Sequence, residues 1–511
     1  MVLAVVAVER IHAMFANSFW FDEVFSVRVP SQALRTFIDQ VAFDNGNMLG
    51  FLTALRPVAT RLPDGWLRTL FAFVPAALAV ALAGRSVRRG GSEPAALLGA
   101  VLLGTNPVIW HYSGELRAYG AVLLAAAVLL TASTSHLVRS ERTGTLRLAF
   151  ASGCGAWLSL SFLWTAALPI VVSLVVIEWV RHPSAPGMQL IALLKRLAVH
   201  GAAVVLPALP IIVMAATGNP EALDWAADSR TGQVVSLARN IGGLGYRHPF
   251  GTLVLAATAV TSAALLVDVV RTNLASHRTV TSAAPVVASD SRVAVAALFL
   301  GWLVLGTGLS AAAALTTGKN TSQSRLVIAL LIPAVGSAVL GLERLLATRR
   351  WRGVTVIWAM VVVAVAAVGL STARSATFAE RWDHCVATVA HIRTGAPTSF
   401  LVAADASYRA LPLDVYVRRH GLADSAVWRV PPAHLESAGA GSSNNGLVRL
   451  RINRMLFNEV PETERTVADV RAASWLVFLD PSSIPANLRQ STGALDCGRI
   501  RFVPPGTPVR P

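Results

Sequence analysis

Two adjacent carboxylates, Asp22 and Glu23, follow the aromatic run Phe19-Trp20-Phe21 at the outer end of the first apolar segment. Acidic side chains at a membrane boundary lose hydration and are rarely placed there without a task. A carboxylate held at that depth can act as a general base toward an acceptor hydroxyl, or bind a divalent cation. The same pair could instead open an interfacial helix, where the helix dipole favours acidic residues in the first turn. A second stretch runs from Asn106 through His111, Ser113, Gly114, Glu115 and Arg117 to Tyr119. Glu115 and Tyr119, four apart, would share one helix face, and Arg117 could meet a phosphate or pair with an acid to tie loops together. The third stretch, Thr316–Arg325, carries Lys319 and Arg325. Arg325 could clamp a lipid phosphate with its planar fork and Lys319 could add a point charge. Two cations snorkelling to an interface would look the same. Gly318-Lys319 is not a phosphate-binding P-loop, because the GxxxxGK spacing is missing.

These stretches lie between long apolar runs that must position them. The chain has 511 residues, of which 14% are charged, and a mean hydropathy of +0.57. Soluble domains carry about 25% charged residues, so the shortfall points to a bilayer protein. Apolar runs fall near 1–17, 66–84, 95–112, 118–138, 147–163, 165–181, 197–217, 250–270, 292–315, 326–346 and 353–371. The fold class expected is a polytopic α-helical membrane protein of about eleven transmembrane helices, with a small C-terminal extracytoplasmic α/β domain.

The net charge of +16 would suit nucleic acid, but its distribution does not. The basic residues form small clusters between apolar runs: Arg85, Arg88 and Arg89; Arg139, Arg142 and Arg147; Arg181, Lys195 and Arg196; Arg271 and Arg278; and Arg344, Arg349, Arg350 and Arg352. With alternating crossings and a cytoplasmic N-terminus, every cluster lands on the cytoplasmic side, as the positive-inside bias requires. The outer loops are then 18–65, 112–117, 218–249 and 316–325. An odd number of crossings leaves 372–511 outside. The domains expected are therefore a transmembrane unit over 1–371 with reactive outer loops, and a soluble unit over 372–511.

Within that tail, Ser399–Ala404 and Ser474–Leu479 read as strands closed by turn residues, and Glu380–Arg393 and Thr463–Ala472 as helices. Ser437–Gly446 reads as a flexible loop. Of three cysteines, Cys154 lies in an apolar run. Cys385 and Cys497 are both in the tail, where a disulfide can form if that domain is outside the cytoplasm. Their Cα separation cannot be read from spacing.

Taken together, the three stretches resemble the GT-C class of integral membrane glycosyltransferases, in the branch that contains protein O-mannosyltransferases and the lipid A aminoarabinose transferase. Trp20-Phe21-Asp22-Glu23-Val24-Phe25-Ser26 is similar to that family's W-x-D-E-x-x-S signature, and Glu115-Leu116-Arg117-Ala118-Tyr119 to its E-x-R-x-Y signature. Ser324-Arg325-Leu326-Val327 with Ile332-Pro333 resembles its R-Y-L…P segment, with Leu326 in place of the aromatic. Arg381-Trp382 through Thr398–Val402 resembles its segment after the membrane region. Where many relatives have D-x-x-H-P-P-L, this chain has Asp44-Asn45-Gly46-Asn47-Met48-Leu49-Gly50.

The resemblance implies a hexosyl- or pentosyltransferase that moves a sugar from a polyprenyl-phosphate donor to a hydroxyl on a glycan, lipid or protein at the outer membrane face. On that footing Asp22 is the general base, with Glu23 beside it. Asp44 and Glu115 orient the acceptor or hold a metal. Arg117, Tyr119, Lys319 and Arg325 face the donor phosphate. A divalent metal (Mg or Mn) stays open as a cofactor, and nucleic acid is not expected as a partner. A transporter of envelope precursors or a non-catalytic membrane protein is the competing reading, but a transporter needs ionisable groups near the bilayer midplane. The Ala-, Val- and Arg-rich composition suits a GC-rich bacterial genome and a plasma-membrane location.

The charge distribution makes a direct prediction. In intact cells, an impermeant maleimide should label Ser442→Cys, while Thr348→Cys should react only after the membrane is permeabilised. The reverse pattern would invert the assigned topology.

Overall fold

The computed structural model describes residues 2–19, 21–43, 46–139, 144–181, 189–217, 230–241, 251–278, 287–317, 324–347, 352–374, 381–392, 399–403, 411–422, 427–430, 474–479, 484, 493–497 and 500–505. It is mostly helical. Among the described residues, seven helices are long and apolar enough to cross a membrane: Asp64–Gly90, Tyr119–Arg139, Leu163–Arg181, Leu190–Thr217, Val254–Thr272, Ser291–Thr316 and Arg325–Ala347. Their sequences are rich in Ala, Val and Leu, and the helical backbone satisfies most of its own hydrogen bonds, as lipid demands. This is a multi-pass membrane protein.

The other four expected runs also form helices, at Val2–Ala16, Glu93–Gly104, Gly144–Cys154 and Arg352–Arg374. The first three have 15, 12 and 11 residues, short of the ~20 a bilayer core takes. Among the described residues, length and apolarity thus single out seven candidate spans, and the expected count of eleven is not confirmed.

The chain divides into two compact units. The first comprises Met1–Ile11, Val41–Leu55 and Leu67–Ser375. Its helices pack closely where glycine removes the side chain. A Cβ on Gly341 would run into the carbonyl of Thr261, and one on Gly120 into that of Ala72. Lipid supplies little hydrophobic drive between helices, so backbone approach of this kind carries much of the association. The Leu163–Ala167 turn is a π-helix. Widened turns of this type leave carbonyls open, and Thr165 O accepts from Trp302 Nε1 at 2.6 Å.

The second unit comprises His12–Gln40, Arg56–Trp66 and Ala376–Pro511. The first outer loop, expected from sequence to belong with the membrane region, therefore clusters largely with the C-terminal segment. The cause is a set of contacts within this unit between the Phe21–Ser31 helix and the Leu411–Arg419 helix. The first outer loop also holds the helices Leu34–Phe43 and Leu49–Leu55. In the first unit, the segment 218–249, read from sequence as an outer loop, contains a helix, Arg230–Ile241, which buries Gln233, Leu237 and Asn240.

The tail forms a five-stranded sheet from β1 (Ser399–Ala403), β2 (Val427–Val430), β3 (Ser474–Phe478), β4 (Leu495–Cys497) and β5 (Ile500–Val503), in the order β2-β1-β3-β5-β4. The first three strands are parallel, with Leu401 opposite Trp428 and Leu476. β5 and β4 then add in antiparallel register. β3 is buried along its length, as an inner strand of a parallel core should be. The helix Trp382–Ile392 seats Trp382 edge-on to Phe502. The two strands expected in the tail and the first of its two helices are present, whereas 437–446 and 463–472 lie outside the described residues.

Cys385, on that helix, and Cys497, on β4, form a disulfide with a Cα separation of 6.1 Å, and Cys154 is free. Denatured, unreduced protein should therefore take up alkylating reagent at one thiol, and reduced protein at three. Closing 112 residues of chain should stabilise this unit by roughly 2–5 kcal/mol. A paired Cys385→Ser/Cys497→Ser variant should show that loss as a lower melting temperature of the C-terminal domain.

Candidate functional site

The acidic pair sits in the first turn of the Phe21–Ser31 helix. Both carboxylates there gain from the helix dipole. Asp22 is half-buried and Glu23 is 1% exposed, so Asp22 is the one of the two with access to solvent or substrate. Ser26 Oγ donates back to the Asp22 carbonyl at 3.4 Å. The placement is compatible with a general base and with a helix-opening acid, two of the three roles weighed from sequence.

The approach to this helix is held by the C-terminal part of the same unit. Ser18 Oγ accepts from the Asp383 N–H at 3.0 Å. The Phe19 N–H donates to the Tyr416 hydroxyl at 2.7 Å, and that hydroxyl donates in turn to Asp64 Oδ2. Arg419 donates to Asp64 Oδ1 at 2.5 Å and lies over the rings of both Phe19 and Tyr416. Two turns into the helix, Arg28 pairs with Asp414. Burial, then the neighbouring Asp64 carboxylate and the hydrogen bond to it, push the Tyr416 phenol well above its ordinary range. Burial works against the Arg419 charge, but Asp64 more than compensates and its pKa rises. Tyr416 thus keeps its proton and Arg419 its charge. Sequence reading missed Tyr416, Arg419 and Asp64. No local pattern marks them, because the three are brought together across more than 350 residues of chain.

In the first unit, the E-x-R-x-Y stretch is a buried turn. Asn106 caps the Pro107–Ser113 helix by accepting from the Val108 and Ile109 N–H groups. The chain then turns tightly, with the Arg117 N–H on the Glu115 carbonyl at 2.7 Å, before the next helix opens at Tyr119. Glu115 is therefore not on a helix face with Tyr119, because the helix begins only at Tyr119. Its carboxylate meets His111 at 3.2 Å instead. Tyr119 stacks edge-on against Tyr112. Glu115, Arg117 and Tyr119 are exposed by 9% or less.

Arg10 of the Val2–Ala16 helix joins this turn, donating to the His111 carbonyl at 2.7 Å. Gly114 leaves room for the Arg10 guanidinium, which any Cβ there would strike. In the sequence Arg10 is only a charge in an apolar run. An ionisable residue inside such a run is itself a functional signal.

Arg325 is half-buried on the short Ser324–Val327 helix, which packs against Arg230–Ile241. Lys319 and Asp44 lie outside the described residues. The turn after Asp44 is unusual, with Gly46 at φ 69° and Met48 at φ 59°. Among the described residues no three His, Cys, Asp or Glu side chains gather as a metal site.

No family model matches the chain, and no curated protein sequence matches it. Among solved structures, ArnT from Cupriavidus metallidurans bound to undecaprenyl phosphate is similar, with 12% identity over 98% of this chain and 96% of that one and a TM-score of 0.48. The same protein in the apo state gives a TM-score of 0.38, again at 12% identity and over 98% and 96% of the two chains. An oligosaccharyltransferase from Archaeoglobus fulgidus, in complex with Zn and sulfate, gives 12% identity over 84% of this chain and 62% of that one, with a TM-score of 0.39. These likenesses are too distant to carry an activity across.

Proposed function

We propose that this protein is a membrane glycosyltransferase that transfers a sugar from a polyprenyl-phosphate donor to an acceptor hydroxyl at the extracytoplasmic face of a bacterial plasma membrane. The observation that carries the reading is the buried Glu115–Tyr119 turn with Arg10 set against it. Two guanidiniums and a carboxylate inside an apolar helical protein are costly to bury. Arginine is also the side chain best shaped for a phosphate. A second support is the half-buried Asp22 at a helix N-terminus, within a W-x-D-E-x-x-S pattern.

In this reading the transmembrane part spans 1–371, with its N-terminus in the cytoplasm, and 372–511 lies outside. Arg117, Tyr119, Lys319 and Arg325 receive the donor phosphate and stabilise the charge that grows on it as the glycosidic bond breaks. Asp22 takes the proton from the acceptor hydroxyl as that oxygen attacks the anomeric carbon. Glu23 and Glu115 orient the acceptor, as does Asp44. The sugar is a hexose or pentose, and the acceptor a cell-envelope glycan, lipid or protein.

Purified protein given a polyprenyl-phosphate sugar and an envelope-glycan extract should form a glycosylated product. Asp22→Asn should lower kcat by about 100-fold or more, the scale of a lost general base, without changing insertion or melting temperature. Arg117→Lys should raise the donor KM more than the acceptor KM, because an ammonium cannot reproduce the guanidinium fork. Undiminished turnover by Asp22→Asn would remove the assigned base.

A further inference from the structure

The Asp22 carboxylate would need a defined position to serve as a base, and the chain leading into its helix is irregular. The residues before it, Asn17 to Phe19, form no regular element. Position is supplied from distant parts of the chain. Ser18 and Phe19, four and three residues before Asp22, are tied by the Asp383 N–H at 3.0 Å and by the Tyr416 hydroxyl at 2.7 Å. Both Ser18 and Phe19 are buried, at 5% and 0% exposure. Beyond Asp22, Arg28 is paired with Asp414 on the same helix that carries Tyr416. The acid therefore sits between two fixed points, both supplied by one short helix, Leu411–Arg419. His420, just past the end of that helix, reaches Asp383 at 2.8 Å, so the helix and the Trp382–Ile392 helix hold each other.

Tyr416 is the pivot. A backbone N–H at the edge of a loop could be satisfied by water, and the chain would then be free to shift. Here it is satisfied by a phenol whose residue is 0% exposed and whose own proton is committed to Asp64. Asp64 is in turn held by Arg419, and Arg419 covers the ring of Phe19. The loop closes on itself through four side chains, so moving Phe19 breaks more than one contact.

We infer that Tyr416, backed by Asp64 and Arg419, is a positioning residue that sets where the Asp22 carboxylate stands. This rests on the glycosyltransferase reading, in which Asp22 is the base. It also assigns a role to the C-terminal domain that the motifs do not: the domain's helix Leu411–Arg419 completes the acidic half of the site.

The test uses the full-length protein in detergent or nanodiscs, comparing wild type with Tyr416→Phe, which deletes one oxygen and keeps the ring. Two readouts are taken. The first is turnover per folded molecule with a polyprenyl-phosphate sugar. The second is hydrogen exchange in the peptide covering residues 17–23. A displaced base of the order of an ångström costs about 100-fold, so kcat should fall by roughly 10- to 100-fold. The donor KM should stay within about threefold, and exchange at the Phe19 amide should quicken by at least about tenfold, the factor for losing one hydrogen bond of ~1.4 kcal/mol. A purely structural role would lower the yield of folded protein but leave kcat per folded molecule intact. That result, or unchanged exchange, overturns the inference. If wild type shows no transfer at all, the glycosyltransferase reading fails, and exchange alone then decides whether Tyr416 anchors the segment. Should Tyr416→Phe not accumulate, Ser18→Ala removes the other tie, and the same loss in kcat is expected of it, with the loss of protection now at the Asp383 amide that Ser18 Oγ accepts from. Intact kcat or unchanged exchange in that variant overturns the inference equally.

Discussion

A guanidinium among apolar helices is tolerated only where acceptors already stand in place, and that constraint organises both halves of this protein. In the first unit Arg10 reaches the His111 carbonyl, and the Gly114 backbone gives its head group room. In the second, Arg419 meets Asp64, which also takes the Tyr416 proton. Leaving a buried donor or acceptor of such a contact without its partner costs about 1–3 kcal/mol. Each cluster therefore dictates the path of the chain around it. The turn at Glu115–Arg117 is tight because its groups must be satisfied there, and the segment at Ser18–Phe19 is held because its donor has a fixed acceptor.

The apolar part of the structure supplies what those clusters need. Helices built from Ala, Val and Leu close most of their own hydrogen bonds and ask little of their neighbours except shape. Glycine at positions 120 and 341 lets backbones come together, and Trp302 fills an open carbonyl at the π-turn. Such a scaffold is rigid where it is apolar and leaves polar chemistry to turns and helix ends. The disulfide between Cys385 and Cys497 plays the corresponding part in the C-terminal unit, fixing the Trp382–Ile392 helix to the edge of the sheet.

Legibility followed the range of the interactions. Strands β1 and β3 and the Trp382–Ile392 helix could be read because apolar runs ended at turn residues. The apolar segments could be read because membrane spans are long and uniform. The face shared by Glu115 and Tyr119 was misread, since a four-residue spacing has meaning only inside a helix and a turn intervenes. The helix inside loop 218–249 is hidden from sequence because its polar residues, Gln233 and Asn240, are buried and make the stretch look like surface. The cysteines showed that a bridge was available, but only folding could bring them to 6.1 Å.

By itself the sequence determined that this chain lives in a membrane and which short stretches carry its acids and bases. Those properties are local, set by composition and by neighbours a few residues apart. Tertiary structure decided that Arg10 would join the Glu115 turn and that Tyr416, Asp64 and Arg419 would grip Phe19. Such partners lie about 100 to 400 residues apart along the chain, and no periodicity encodes them. They meet because burial leaves each polar group only the partners that the packed helices bring within reach.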